Sequence, residues 1–203
     1  EIEYFESDDI KWKCENCTKS KRQSMRLDTK ADEAKQNTIL QKKLSHLEQK
    51  LLANEIIIDG IPETPNENII ETIKLVGQEL NIKIEENMIN DCYRIKNKQN
   101  TNRLVINFSR HIDKVNILKA RKVKRNLSTK HLGLNSDSMI YMRESLTPEK
   151  NYLFKQARDY KKLNNYKYAW TSEGRIFIRK DDTSKVIPVD NDFFTHISHT
   201  SLN

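Results

Sequence analysis

Three sets of residues have types and spacing that could do chemistry. The first is Cys14 and Cys17, a Cys-x-x-Cys pair. This spacing lets two thiolates reach one zinc ion. A structural zinc needs four ligands, and the third cysteine, Cys92, falls in an expected strand while the five histidines are scattered. Cys14 and Cys17 are therefore an incomplete metal site, and zinc is expected only if ligands lie upstream. A redox pair and an incidental spacing are the other readings. No other cofactor is required.

The second set is Lys119, Arg121, Lys122, Lys124 and Arg125, five cations in seven residues. Cations suit a helix C-terminus, but this many repel one another unless an anion neutralises them. Phosphate binding is the expected role, with a solvated face as the bland reading. The third set interleaves aromatics and cations in a hairpin: Tyr166, Lys167, Tyr168, Trp170, Arg175, Phe177, Arg179 and Lys180. Single-stranded nucleic acid is held this way, with bases on rings and phosphates on cations. Alternate hairpin aromatics also build cores. By alternation Tyr166, Tyr168 and Trp170 share one face, and Phe177 lies opposite Ile176 and Ile178 on its strand. Arg175, Arg179 and Lys180 are expected to face solvent.

Catalytic patterns are missing. There is no phosphate-binding Walker loop, no HExxH, no Gly-x-Ser-x-Gly and no carboxylate cluster suited to metal-dependent cleavage. A binding protein is expected rather than an enzyme. The charge of +7, with 36% hydrophobic and 32% charged residues, points to an acidic partner, nucleic acid before an anionic membrane. No apolar run approaches the ~20 residues that span a bilayer. The odd, sparse cysteines argue against a secreted disulfide framework. A reducing compartment, nucleus or cytoplasm, is expected. The chain begins at Glu1 rather than Met, so its natural start and any targeting segment there are left open.

The elements that must position these residues follow from periodicity. Asn37, Leu44 and Leu51 fall at heptad position a, with Leu40 and Leu47 at d. This is an oligomerising coiled-coil helix, and Asn at a is a register device. Only about two heptads are clear, so a dimer and a trimer are both open. Strands are expected at 56–61, 91–95, 103–108 and 139–142, and helices at 66–80 and 109–125, with Ser109 as a cap. That order is β-α-β-β-α-β, the split-βαβ, ferredoxin-like pattern. A helix from Thr147 to Leu163, a hairpin around Ser172-Glu173-Gly174 and a strand in 185–189 follow. The expected class is α+β. Its parts are a zinc-finger-like tail (1–19), a coiled-coil helix (20–53), a split-βαβ domain (54–144), a helix-plus-hairpin domain (145–190) and a loose tail (191–203).

In this order the parts resemble the baculovirus few-polyhedra (FP) protein family and the insect retrotransposon-derived proteins that carry the FP C-terminal domain. The motifs are "ANEIIIDGIPE" and "LTPEKNYLFKQARDYKKLNNYKYAWTSEGRIFIRKDD". Trp12-x-Cys14-x-x-Cys17 resembles the end of a PHD-type zinc finger, a feature of the insect proteins. More distantly the chain resembles the first open-reading-frame protein of LINE retrotransposons. That resemblance implies a trimeric coil, a noncanonical RRM and a small C-terminal domain acting as an RNA-binding nucleic-acid chaperone. It places a nucleic-acid-binding arginine at Arg121, with Arg94 and Arg143 as further candidates. RRM domains stack bases on their two central strands; here those strands hold no aromatic but Phe108, so such stacking is not expected. The expected function is an oligomeric protein that binds RNA or single-stranded DNA. Phosphates are expected in a cleft between the split-βαβ unit and the C-terminal unit. A coiled-coil adaptor with a protein partner, and the C-terminal part of a PHD chromatin reader, are the alternatives.

Overall fold

From Ile39 onward apolar residues recur at helical and strand spacing, and the elements form where they do. The computed structural model describes residues 15–95 and 103–194, several side chains early in the first helix aside. The chain divides into two units, Glu1–His46 and Leu47–Asn203. Among the described residues of the first, the chain is helical. Helix α1 spans Glu15–Leu51 and so continues into the second unit. Its heptad leucines, Leu40, Leu44, Leu47 and Leu51, are all exposed, Leu51 by 79%. Asn37 is exposed as well.

In the second unit the elements are β1 (Glu55–Asp59), α2 (Ile69–Glu79), β2 (Ile89–Ile95), β3 (Arg103–Phe108), α3 (His111–Val123), β4 (Tyr141–Glu144), α4 (Pro148–Leu163), β5 (Tyr168–Ser172), β6 (Arg175–Arg179) and β7 (Ile187–Val189). This is an α+β protein. Four strands make one sheet in the order β2-β3-β1-β4, and three make another in the order β5-β6-β7. Every neighbouring pair is antiparallel.

In the first sheet Ile56, Ile58, Leu104, Ile106 and Phe108 cluster with Ile73 and Val76 of α2 and Ile117 of α3. Each such side chain stabilises the fold by about 1.5–3 kcal/mol when fully buried. Asn68 caps α2, its Oδ1 accepting from the Ile70 and Glu71 amides. Helix α3 starts later than its sequence suggests. Arg110 is its N-cap residue and makes no side-chain cap bond, while the Ser109 hydroxyl donates to Asn87 O instead.

The fourth strand is also displaced, to Tyr141–Glu144 from the expected 139–142. Residues 139 and 140 are already engaged. Met139 bridges Ser128, the Ile140 amide donates to Leu127 O, and Gly60 presses on Met139. A Cβ on Gly60 would lie 2.3 Å from Met139 O, and its φ of +101° is a conformation glycine allows. The pairing of β4 with β1 therefore runs from Asp59↔Tyr141 to Ile56↔Glu144.

In the second sheet α4 covers one face. Leu153 and Ala157 meet Ile176, Ile178 and Val189. Thr147 caps α4 and Pro148 opens it. The two sheets are joined through buried polar contacts at the end of α1. Gln49 donates from Nε2 to Ser145 O at 3.0 Å and accepts at Oε1 from the Thr147 amide at 3.2 Å. The Gly174 amide donates to Glu144 Oε2 at 3.1 Å, and Lys114 Nζ donates to Ala53 O at 2.5 Å.

Candidate nucleic-acid interface

The basic end of α3 divides into two kinds of cation. Arg121 folds back on its own element, donating to Lys124 O at 2.7 Å and to Ile140 O at 2.8 Å. Its Nε is buried without a partner, and this burial lowers its pKa. Lys124 Nζ donates to Glu79 O at 2.8 Å and to its Oε2 at 2.5 Å. The Lys124 hydrogen bond holds the Glu79 carboxyl below the usual range. Arg121 and Lys124 thus tie α3 to α2 and to the approach of β4. Lys119, Lys122 and Arg125 are exposed. Among the described residues they meet no ion-pair partner.

Arg94 also turns inward. Its side chain and that of Glu67 are 6% and 8% exposed. Nε and Nη2 donate to Glu67 at 2.6 and 2.5 Å, and Nη1 and Nη2 donate to Ile61 O and Pro62 O. Four of the five N–H donors of this guanidinium are thus engaged inside the protein. Arg143 lies on the helix-free face of the first sheet, with Nε donating to Asp59 Oδ2 at 3.3 Å. Arg103 joins it on the same carboxylate. Sequence reasoning passed over Arg103, Asp59, Tyr93 and Tyr141 on this face. Strand alternation together with the β2-β3-β1-β4 order identifies them.

The helix-free face of the second sheet gathers the interleaved residues. Trp170 pairs with Phe177, Tyr168 with Arg179, and Ser172 with Arg175. The Trp170 and Phe177 rings stack with centroids 5.7 Å apart. The Arg175 guanidinium lies over Phe177 at 5.7 Å and that of Arg179 over Tyr168 at 5.0 Å. Asp182 anchors the rim, accepting from Tyr168 at 2.5 Å and from Lys167 and Arg179. Those partners, Lys167 first, lower its pKa. Lys180 is exposed beside the strand end. Tyr166 does not share the face of Tyr168: it packs on Tyr160 with ring centroids 5.6 Å apart, in the helix-side cluster. The reason is that Tyr166 precedes β5, so strand alternation does not govern it.

Arg121 reaches Ile140, just before β4, whereas Lys114 and Gly174 meet Glu144, the last residue of β4. The α3 basic end and the hairpin turn thus lie toward opposite ends of that strand. Cys14 and the structural setting of the Cys17 side chain lie outside the described residues. Among the described residues no group of three His, Cys, Asp or Glu side chains could hold a metal ion. Among them, too, no helix is long and apolar enough to cross a membrane.

Residues 147–192 match the family model described as Baculovirus FP protein domain 2. No curated protein matches the chain. The matched segment covers α4 and the whole second sheet, including its aromatic face. The part of the chain that carries Tyr168, Trp170 and Phe177 is therefore similar to the second domain of the baculovirus FP protein.

Proposed function

We propose that this is an oligomeric protein that binds single-stranded nucleic acid, RNA or DNA, mainly through phosphates, and that acts without catalysis. The observation that carries the reading is the helix-free face of the β5-β6-β7 sheet. There Tyr168, Trp170 and Phe177 stand bare of helix, with Arg175 beside Phe177 and Arg179 beside Tyr168. A core would bury these rings under a second layer. A stacking platform leaves them half open with cations beside them, as bases and phosphates require. The exposed Lys119, Lys122 and Arg125 supply a second phosphate contact at the end of α3.

The strand order and the two helices on one face of the first sheet support a ferredoxin-like, noncanonical RRM reading of the split-βαβ domain. The leucine stripe of α1 supports a coiled coil. Lys43 at heptad position g and Glu48 at the following e would attract across a parallel pair of helices. The coil then adds avidity to weak single sites. This is the arrangement that the resemblance to FP and LINE proteins implies.

Fluorescence polarisation against a labelled single-stranded oligonucleotide tests the reading. Trp170→Ala is expected to weaken binding by about 1–3 kcal/mol, the worth of one stacked base. Binding that is absent, or that ignores Trp170, contradicts it.

A further inference from the structure

We propose that a pocket in the connection between α3 and β4 takes one unstacked base of a bound single strand, and that it prefers guanine. The inference rests on the nucleic-acid reading above and extends it from charge to sequence.

The walls of the pocket are tied in place by the loop itself. The connection is anchored in the core by Leu127 and Ile140, both 0% exposed. Between them Thr129 is fully buried as well. Its hydroxyl donates to Ser136 O at 2.6 Å and accepts from the Ser138 amide at 2.9 Å. Its own amide donates to Ser138 O at 2.9 Å. Ser128 forms a bridge with Met139, and its amide donates to His131 Nδ1 at 3.2 Å. A polar surface loop knotted in this way holds its shape without a ligand.

The loop encloses a pocket of about 500 Å³, lined by Asn126, Ser128, Lys130, His131, Asp137 and Met139. That volume falls in the range of small-ligand sites. The internal bonds occupy Ser128 and one nitrogen of His131. Because Nδ1 accepts, the proton of the neutral ring sits on Nε2. Among the described residues the side chains of Asn126, Lys130 and Asp137 make no hydrogen bond or ion pair. Lys130 and Asp137 therefore line one pocket without pairing, and their bonding capacity is unspent.

The charges decide the occupant. The Asp137 carboxylate opposes a phosphate inside the pocket. Cations lie next to it along the chain: Arg125 immediately precedes Asn126, and Lys122 is in the last turn of α3, both exposed. Phosphates of a strand held on Lys122 and Arg125 stay outside, and a neutral base enters. Met139 is 40% exposed and gives the base an apolar, adaptable surface. An ionised carboxylate only accepts hydrogen bonds, so Asp137 selects a base whose pairing edge donates. Guanine presents its N1–H and its 2-amino group side by side, a two-pronged donor for one carboxylate. Uracil offers a single N–H, and adenine and cytosine one amino group each. The Asn126 amide supplies a donor for the guanine carbonyl.

Fluorescence polarisation of the full chain with an all-uridine RNA, and with the same strand carrying one central guanosine, tests the pocket. The guanosine strand should bind about five-fold or more tighter. Inosine at that position, which lacks the 2-amino group, should lose most of the gain. Asp137→Asn should abolish the preference without weakening binding to the all-uridine strand. Asp137 is exposed, so the variant should keep its stability by chemical denaturation. Equal binding of the two strands by the unaltered chain, or a preference that survives Asp137→Asn, overturns the pocket and leaves the hairpin reading standing. An unaltered chain that binds neither strand removes both.

Discussion

Arg94 shows how a cation's chemistry is decided by what it touches. Its guanidinium spends four of its five N–H donors on Glu67 and two carbonyls inside the protein. Removing it leaves a buried carboxylate unpaired, so Arg94→Ala should destabilise the fold by about 3–5 kcal/mol, read by chemical denaturation. The change should be one of stability, with no loss of ligand charge. Lys122→Gln with Arg125→Gln should do the reverse. Both residues are exposed, so stability should hold within about 0.5 kcal/mol. The slope of log affinity against log salt should fall by about 1.4–1.8 units, one phosphate contact for each. The sequence displays five cations at the end of α3 but not their destinations. Arg121 and Lys124 turn inward because two carbonyls and Glu79 wait there, and those partners are distant in sequence.

At the scale of elements, the junction between the sheets depends on one glycine. Gly174 holds φ at +68°, and a Cβ there would meet Gln49 Cγ at 2.6 Å. Gly174→Ala should cost about 1–3 kcal/mol, from backbone strain and from overpacking against α1. Adding Gln49→Ala should recover the steric part, so the two changes should be non-additive in a denaturation cycle. Strictly additive costs would contradict the contact. Near this junction Lys114 and Glu144, 4% and 5% exposed, lie 3.7 Å apart. Burial pulls the Lys114 pKa down against the Glu144 charge. None of this is legible in the sequence, where Gln49 is an ordinary polar residue on the back of a heptad. The elements themselves were legible. β3 spans Arg103–Phe108, the range its alternation implies, and α4 begins at the Thr147 cap and Pro148. Alternation alone places β4 two residues early, because its limits are set by Gly60 and Leu127, contacts made across the fold.

At the scale of the whole molecule, the leucine stripe and the buried glutamine point in different directions on α1. Gln49 occupies heptad position f and is 8% exposed, while Leu47 and Leu51 at d and a are open. Gln49 thus meets Ser145 and Thr147 while Leu47 and Leu51 are left open; on the proposed coiled-coil reading the leucines meet a second copy of the chain. Leu44→Glu with Leu47→Glu should yield monomers by sedimentation and should weaken binding to a long oligonucleotide by about 10²–10⁴-fold, the loss of avidity. Binding to a short one should change little. The leucine spacing is legible in the sequence and its leucines are exposed, but two heptads constrain the number of chains weakly.

The most direct test of the account is a salt titration of full-chain affinity for one single-stranded oligonucleotide, with and without Lys122→Gln and Arg125→Gln. Affinity that falls steeply as salt rises, with a shallower slope in the variant, is the predicted result. Binding that is absent, or a slope that is flat and identical in both proteins, would contradict a phosphate-dominated nucleic-acid-binding role.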